Sequence, residues 1–570
     1  MEVKKKDIRI QNSVQLLLST ITILLTGYIL SFVSMRADLT QEKRYTLNPS
    51  TKKILSGLPE GLLVKVYLEG DMPIAFKRLR NSTQDMLDEF RLYSDNRIDY
   101  QFIDPFVNQK EREKNPMIED LYNKGLQPTN VKMKDDKGNL SEKMIMPGAI
   151  VSYNDKVIPV NLLSKNVGMA AEVNLNNSIQ NLEYQLINAL WSVTRDSVEN
   201  IAIIEGHGEL ESSLTADLTR ELEISMRYRI YRGQIDGKAG CLDPYRIIII
   251  AKPTVAFSEE DKFVIDQYIM NGGKVIWLID QVNIELDSLS NGSSAAFINN
   301  TNLDDQLFRY GVRINPVLVQ DVQCSSVPVN ISLQGQPPKF VPAPFLYLPL
   351  ASPAAENAVS RNLNLIRCEF ANTIDTVGTN DGIRKSVLLR SSSYTKLTNA
   401  PAMISLSDIK KQHERKDFNT PSQPMAMLLE GTFSSVFRNR MTDHLKIKGS
   451  FSFRESSKPT AMVVIADGDV IKNNIRRGPY GMQIQPLGLD RFSGQTYGNK
   501  DFILNVINYL SDGSDLISLR NKEVKLRLLD KTRIRDEKIK WQTINTILPI
   551  LLVAAVGILL SLLRKRKFSR

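Results

Sequence analysis

The residues best suited to chemistry in this 570-residue chain lie in two short acidic turns. Glu205-Gly206-His207-Gly208-Glu209 holds one of only three histidines, set between two glycines and two carboxylates. An imidazole so placed is suited to bind a ligand or to act as a general base near neutral pH. The same pattern fits a glycine-rich turn whose polar groups face solvent or cap the next helix. Asp467-Gly468-Asp469 is the second turn. Were the two to share a crevice, Glu205, His207, Glu209, Asp467 and Asp469 would form one ligand site. Only three cysteines are present, Cys241, Cys324 and Cys368. They exclude a disulfide-built scaffold and a multi-cysteine metal site, and none sits at a nucleophile turn after a strand. The chain has no G-x-x-x-x-G-K-[ST] phosphate loop, no G-x-S-x-G elbow and no H-E-x-x-H. Phe492-Ser493-Gly494-Gln495 echoes the signature of transport ATPases, but without a phosphate loop it reads as coincidence. These residues predict no catalytic group, no metal and no cofactor.

The elements that would position these turns alternate. Ile201–Ile204 reads as a short buried strand ahead of the histidine turn, and Leu214–Met226 as the helix after it. Arg246–Ala251 (RIIIIA) and Lys274–Asp280 (KVIWLID) are further buried strands. Between them Ser258, followed by Glu259, Glu260 and Asp261, marks a helix start, and Gly272-Gly273 its end. Ala461–Ala466 leads into the second acidic turn. Such alternation predicts an α/β fold with a doubly wound parallel sheet, where ligands bind beyond the carboxyl ends of strands. Upstream, a strand at Leu62–Glu69, an amphipathic helix through Leu79, Thr83, Met86, Leu87 and Phe90, and a strand at Ile98–Phe102 predict a βαβ unit. A hairpin is expected from Val131–Met133 to Met144–Tyr153, turning at Asp135–Asn139. Residues 285–303, polar, and 328–353, with seven prolines, are expected to be loops or a surface arm. Arg476-Arg477 reads as a solvated turn.

The ends of the chain have a different character. Val14–Val33 and Ile544–Leu563 are each twenty residues without a charge, long enough to cross a hydrocarbon core of roughly 30 Å. Lys4, Lys5, Lys6 and Arg9 precede the first, and Arg564, Lys565, Arg566, Lys567 and Arg570 follow the second. By the positive-inside rule both termini are expected in the cytoplasm and residues 34–543 on the other side of the membrane. The formal charge of +10 therefore says little about nucleic acid: residues 34–543 carry 64 basic against 61 acidic side chains.

The predicted layout is a cytoplasmic basic tail 1–13, a span 14–33, a juxtamembrane segment 34–61, and a membrane-proximal α/β domain 62–165. A helical connector 166–198, a second α/β domain 199–515 carrying the proline-rich insertion, a charged connector 516–543, the span 544–563 and the tail 564–570 complete it.

Several strings carry a family resemblance. RADLTQEKRYTL (36–47), VKVYLEGDMPIAFKRLRNSTQDMLDEF (64–90) and IDYQFIDPF (98–106) closely resemble the gliding-motility-associated ABC transporter auxiliary protein GldG family of Bacteroidota. IEGHGE, NGGKVIWLID and GNKDFILNVINYL also look like its second domain, similar in fold to class I glutamine amidotransferases. The resemblance implies a non-enzymatic subunit partnered with a multi-span ABC permease and a separate cytoplasmic ATPase, anchored in a bacterial inner membrane with the bulk of the chain periplasmic. It leaves the transported substrate open. Amidotransferases need a cysteine at the elbow, which this chain lacks, so the domain looks catalytically empty. The juxtamembrane residues Arg36, Asp38, Leu39, Thr40, Arg44 and Tyr45 are candidates for contact with the permease. Two alternatives are an extracytoplasmic ligand-binding module or degenerate enzyme, and an envelope scaffold.

Overall fold

A computed structural model describes residues 2–32, 46–106, 116–134, 140–164, 171–332, 336–378, 382–411, 414–440, 445–449, 452–478, 481–511, 516, 519 and 531–568. The candidate permease contacts Arg36, Asp38, Leu39, Thr40, Arg44 and Tyr45 lie outside them. The chain divides into two units, Met1–Arg44 with Glu523–Arg570, and Tyr45–Lys522.

The described residues of the first unit are helical. Helix α1 runs Glu2–Phe32 and includes an apolar described stretch, Ser13–Tyr28. The C-terminal helix Lys531–Phe568 contains Arg535–Leu563, 29 residues of mean hydropathy 2.7, long and apolar enough to cross a membrane. Its leucines, isoleucines and valines are exposed, Val553 to 74%. A helix suits lipid because its backbone groups bond within the segment. Pro549 lies inside it.

The second unit is mixed α/β, with several sheets. Helix α2 (Pro49–Ser56) starts where Asn48 accepts from the Ser50 amide, with proline at the first turn. Strand β1 (Leu62–Val66), helix α3 (Ile74–Tyr93) and strand β2 (Ile98–Phe102) form the expected βαβ unit, the two strands pairing in parallel. The hairpin is divided differently from expectation. Thr129–Lys134 pairs with Leu140–Ile145, while β3 (Gly148–Tyr153) pairs with β1 and with β4 (Lys156–Asn161). Pro147, which has no N–H to donate to a ladder, separates the two pieces. Helix α4 (Ala171–Thr194) packs Leu182, Leu186, Ile187 and Leu190 into the core around these strands.

The large sheet is built from β5 (Glu199–Glu205), β6 (Tyr228–Gln234), β7 (Ile247–Ala251), β8 (Lys274–Leu278), β9 (Cys324–Asn330), β10 (Phe340–Pro353), β11 (Ile383–Arg390), β12 (Pro424–Gly431) and β13 (Thr460–Ile465). Their order is β9-β10-β11-β12-β13-β8-β7-β5-β6, with Ile366–Arg367 added beside β10. Strands β13, β8, β7, β5 and β6 are parallel, and β10, β11 and β12 extend the sheet antiparallel. In the parallel part, β6 lies on one side of β5 and all later strands on the other, so the order reverses between β5 and β7. Both faces of β5, β7, β8 and β13 are covered, which is why these strands hold continuous apolar runs, while the edge strand β6 does not. Ile201, Ile203, Ile247 and Ile249 meet helices α5 (Ala216–Ile224) and, near the C-terminal end of the unit, Asn499–Ser511. Ala202, Ile204, Ile248 and Ile250 meet α6 (Glu259–Met270) through Phe263, Ile265 and Ile269. Helix α6 begins as predicted, the Ser258 hydroxyl accepting from the Asp261 amide at 3.1 Å.

Two expected loops are structured. Residues 285–303 contain a 3₁₀ turn, Leu286–Asn291, and a strand, Ser293–Ile298. The proline-rich 328–353 stretch is mainly β10, whose Phe345, Tyr347, Leu348 and Ala351 are buried. Strand β10 meets β11 only at Ser352 and Pro353, so most of its length has β9 as partner. Proline is tolerated in such edge positions, where a missing N–H breaks no ladder.

Candidate functional site

Both acidic turns emerge at carboxyl ends of parallel strands, the histidine turn beside the point where strand order reverses. This is where doubly wound sheets place ligands. The loop after β7, Lys252–Val255, runs between the two turns. The Thr254 and Val255 amides donate to the His207 carbonyl at 2.9 and 2.8 Å, while Lys252 faces the second turn. Each turn has a glycine pressed on this loop. At Gly208 (φ +73°) a Cβ would collide with Thr254 Oγ1, and at Gly468 with the Lys252 side chain.

His207 is buried and clamped. Its Nδ1 lies 3.3 Å from Glu209 Oε1 and its Nε2 3.1 Å from Asp261 Oδ2, and its ring stacks on Phe257 at 3.6 Å between centroids. Its backbone N–H also donates to Glu209 Oε2 at 2.6 Å. Asp261 in turn accepts from the Gly237 amide at 2.7 Å. Burial opposes the proton, but hydrogen bonds to Asp261 and Glu209 outweigh it and push the imidazole up to about 9. His207 is therefore a cation at neutral pH with both nitrogens engaged. A general base needs a free nitrogen lone pair, and this ring offers none.

Glu205 faces elsewhere. Its carboxylate pairs with Arg232 Nε at 2.6 Å, and Arg232 also donates to Thr215 Oγ1 at 2.9 Å. That guanidinium ties β6 to the segment ahead of α5.

The second turn is the centre of a buried charge cluster. Lys252 Nζ lies 2.6 Å from Asp469, 2.7 Å from Glu285 and 3.4 Å from Asp280. Lys472 lies 2.9 Å from Asp469 and 3.0 Å from Glu285. Asp467 accepts from the amides of Glu369 and Asp469, both at 2.7 Å, and Asp280 accepts from the Gly468 amide at 2.5 Å. Burial, then Asp280 and Asp469, hold the Asp467 carboxyl well above the usual carboxylate range. Burial also raises Asp280 against the pull of Lys252. Asp469 goes the other way: burial opposes its charge, but Lys252 and Lys472 win. Burial and Asp467 hold the Cys368 thiol well above its ordinary value, so it is no nucleophile at neutral pH.

Of the five predicted residues, His207 and Glu209 join in one cluster, Asp467 and Asp469 in another, and Glu205 pairs with Arg232 apart from both. Sequence reading missed Lys252, Asp261, Asp280, Glu285 and Lys472. Lys252 and Asp280 carry a signal that was available, since each closely follows a buried apolar strand as Glu205 and Asp467 do. Among the described residues no group of three or more His, Cys, Asp or Glu side chains is disposed to hold a metal ion. A cleft of about 700 Å³ opens at the other end of the sheet, lined by Glu199, Arg246, Gly272 and Lys458.

A mixed α/β domain with a charged but internally paired strand-end crest is the class these observations define. Residues 199–506, more than half of the chain, match the family described as an ABC-type uncharacterized transport system auxiliary, and the chain belongs to that family. Residues 41–152 match a domain of unknown function. No curated protein matches the chain. Among solved structures, the mmIFT52 N-terminal domain is similar at 13% identity and a TM-score of 0.30, covering 55% of this chain and 98% of its own. A putative ThuA-like protein from Parabacteroides merdae is similar at 10% identity and a TM-score of 0.25, covering 56% and 91%. The family and the apolar C-terminal helix together indicate a membrane-associated component of a transport system.

Proposed function

We propose that this chain is a non-catalytic, membrane-anchored auxiliary subunit of an ABC transporter complex. Its folded domains stand on the extracytoplasmic side, at the outer face of a multi-span permease driven by a separate cytoplasmic ATPase. Both terminal helices cross the inner membrane, with basic tails in the cytoplasm. The resemblance to the GldG family of Bacteroidota extends the reading to gliding motility or assembly of the cell surface.

The observation that carries the non-catalytic part is the state of the strand-end turns. His207 has both nitrogens engaged by carboxylates, and Asp469 is held by two lysines. Groups consumed in this way hold loops in place and are not free to transfer protons to a substrate. A rigid domain of this kind suits a subunit that guides a substrate or reports the permease's state. The test is purification of the tagged chain from gently solubilised membranes. Recovery of a permease and an ATPase in fixed ratio is expected, and their absence would overturn the reading. Exchange of His207 and Asp467 for residues that preserve folding is expected to leave that recovery, and the cellular phenotype, unchanged.

A further inference from the structure

Strands β14 (Ile475–Gly478) and β15 (Gly481–Ile484) form an antiparallel hairpin that the function above does not use. It follows the second acidic turn. Its root is held firmly. The Asn473 amide donates to the Leu214 carbonyl at 2.8 Å, its Oδ1 accepts from the Asp217 amide at 3.2 Å, and the Leu487 amide donates to Asp217 at 2.7 Å. The shaft, by contrast, is bare. Met482 is 65% and Ile484 49% exposed, and Arg476, Arg477 and Gln483 are exposed as well. Among the described residues the sheet containing it has two strands and no third. A lone two-stranded hairpin is marginal in water.

The register sorts the side chains. Ile475 pairs with Ile484 and Arg477 with Met482, which puts these four on one face; Arg476 pairs with Gln483 on the other. Residues 472–489 contain three cations and no acid. Lys472 is paired at the root, whereas Arg476 and Arg477 have no ion pair or hydrogen bond among the described residues. Unpaired guanidinium groups beside bare methionine and isoleucine call for a partner that is both anionic and apolar. The two arginines point to opposite faces. A flat protein surface or an added strand would engage one of them, but a headgroup layer into which the hairpin dips surrounds both.

We propose that the strand pair Ile475–Gly478 and Gly481–Ile484 docks on an anionic phospholipid surface, with Met482 and Ile484 entering the acyl boundary and Arg476 and Arg477 held by lipid phosphates. The chain's apolar helix Arg535–Leu563 would keep a bilayer at high local concentration, so modest intrinsic affinity suffices.

The test uses the full chain in nanodiscs, with an environment-sensitive fluorescent amino acid at position 482 and a quencher carried on the lipid chains. Discs of phosphatidylcholine are compared with discs containing about one-third phosphatidylglycerol. Quenching is expected in the anionic discs and several-fold less in neutral ones, and R476Q/R477Q is expected to reduce it by roughly fivefold per arginine. Because both arginines are exposed, the thermal transition of that variant should match the wild type, which separates lost docking from lost folding. Equal quenching in both lipids, none in either, or no response to the double exchange overturns the proposal. So does lipid-independent photo-crosslinking of position 482 to a co-reconstituted permease.

Discussion

The two strand-end turns solve one problem, burial of charge at the crest of a parallel sheet, in opposite ways. At His207 one cation lies between two carboxylates and against an aromatic ring. At Asp469 one carboxylate lies between two lysines, and Asp467 beside it is held by the backbone amides of Glu369 and Asp469. The first arrangement depends on a proton that solvent can remove, and the second on lysine charges that persist across ordinary pH. The difference teaches that two strand-end turns of similar composition in this chain pair their charges in opposite ways, with distinct pH behaviour.

The comparison breaks most visibly at Lys252. Lys252→Met leaves Asp469, Glu285 and Asp280 without their shared cation, and loss of one partner from a buried ion cluster costs about 3–5 kcal/mol. Denaturant unfolding of the solubilised chain should show that loss; a change below about 1 kcal/mol would mean the cluster is hydrated and the contrast is false. His207→Phe sharpens the pH difference. The folded value of about 9 lies above the ordinary 6.5, so the stabilisation is complete below pH 6.5 and is lost as pH rises through 9. Wild type and His207→Phe should therefore differ by about 2 kcal/mol more at pH 6 than at pH 9.5, allowing for partial screening. The deficit of Lys252→Met should instead grow as pH rises over the same window, because Asp280, already raised by burial, loses the cation that opposes that rise. The smallest effect is expected at Glu205→Gln. Its pair with Arg232 is partly exposed, and such pairs contribute about 1 kcal/mol or less. A thermal shift as large as that of His207→Phe would place Glu205 inside the histidine lock.

Local signals carried much of the architecture. The βαβ unit of β1, α3 and β2 followed from alternation and a helical stripe, and the α6 start from Ser258 and its following acids. The four consecutive isoleucines of β7 already implied a strand covered on both faces. The proline-rich stretch misled because proline content argues against a central strand and says nothing about a strand with one neighbour. Only the pairing of β10 with β9 decides that. Arg476 likewise read as a solvated turn and stands on a strand.

The sequence by itself determined the apolar length of the C-terminal helix, the strand-helix alternation, and the presence of polar turns at strand ends. These depend on periodicity and composition, which act over a few residues. Tertiary structure alone decided what those turns do. One partner of His207, Asp261, is 54 positions away, and one partner of Asp469, Lys252, is 217. Whether a carboxylate binds a ligand, holds a lysine or keeps its proton depends on burial and on the charges beside it, and those are set by how distant strand ends meet.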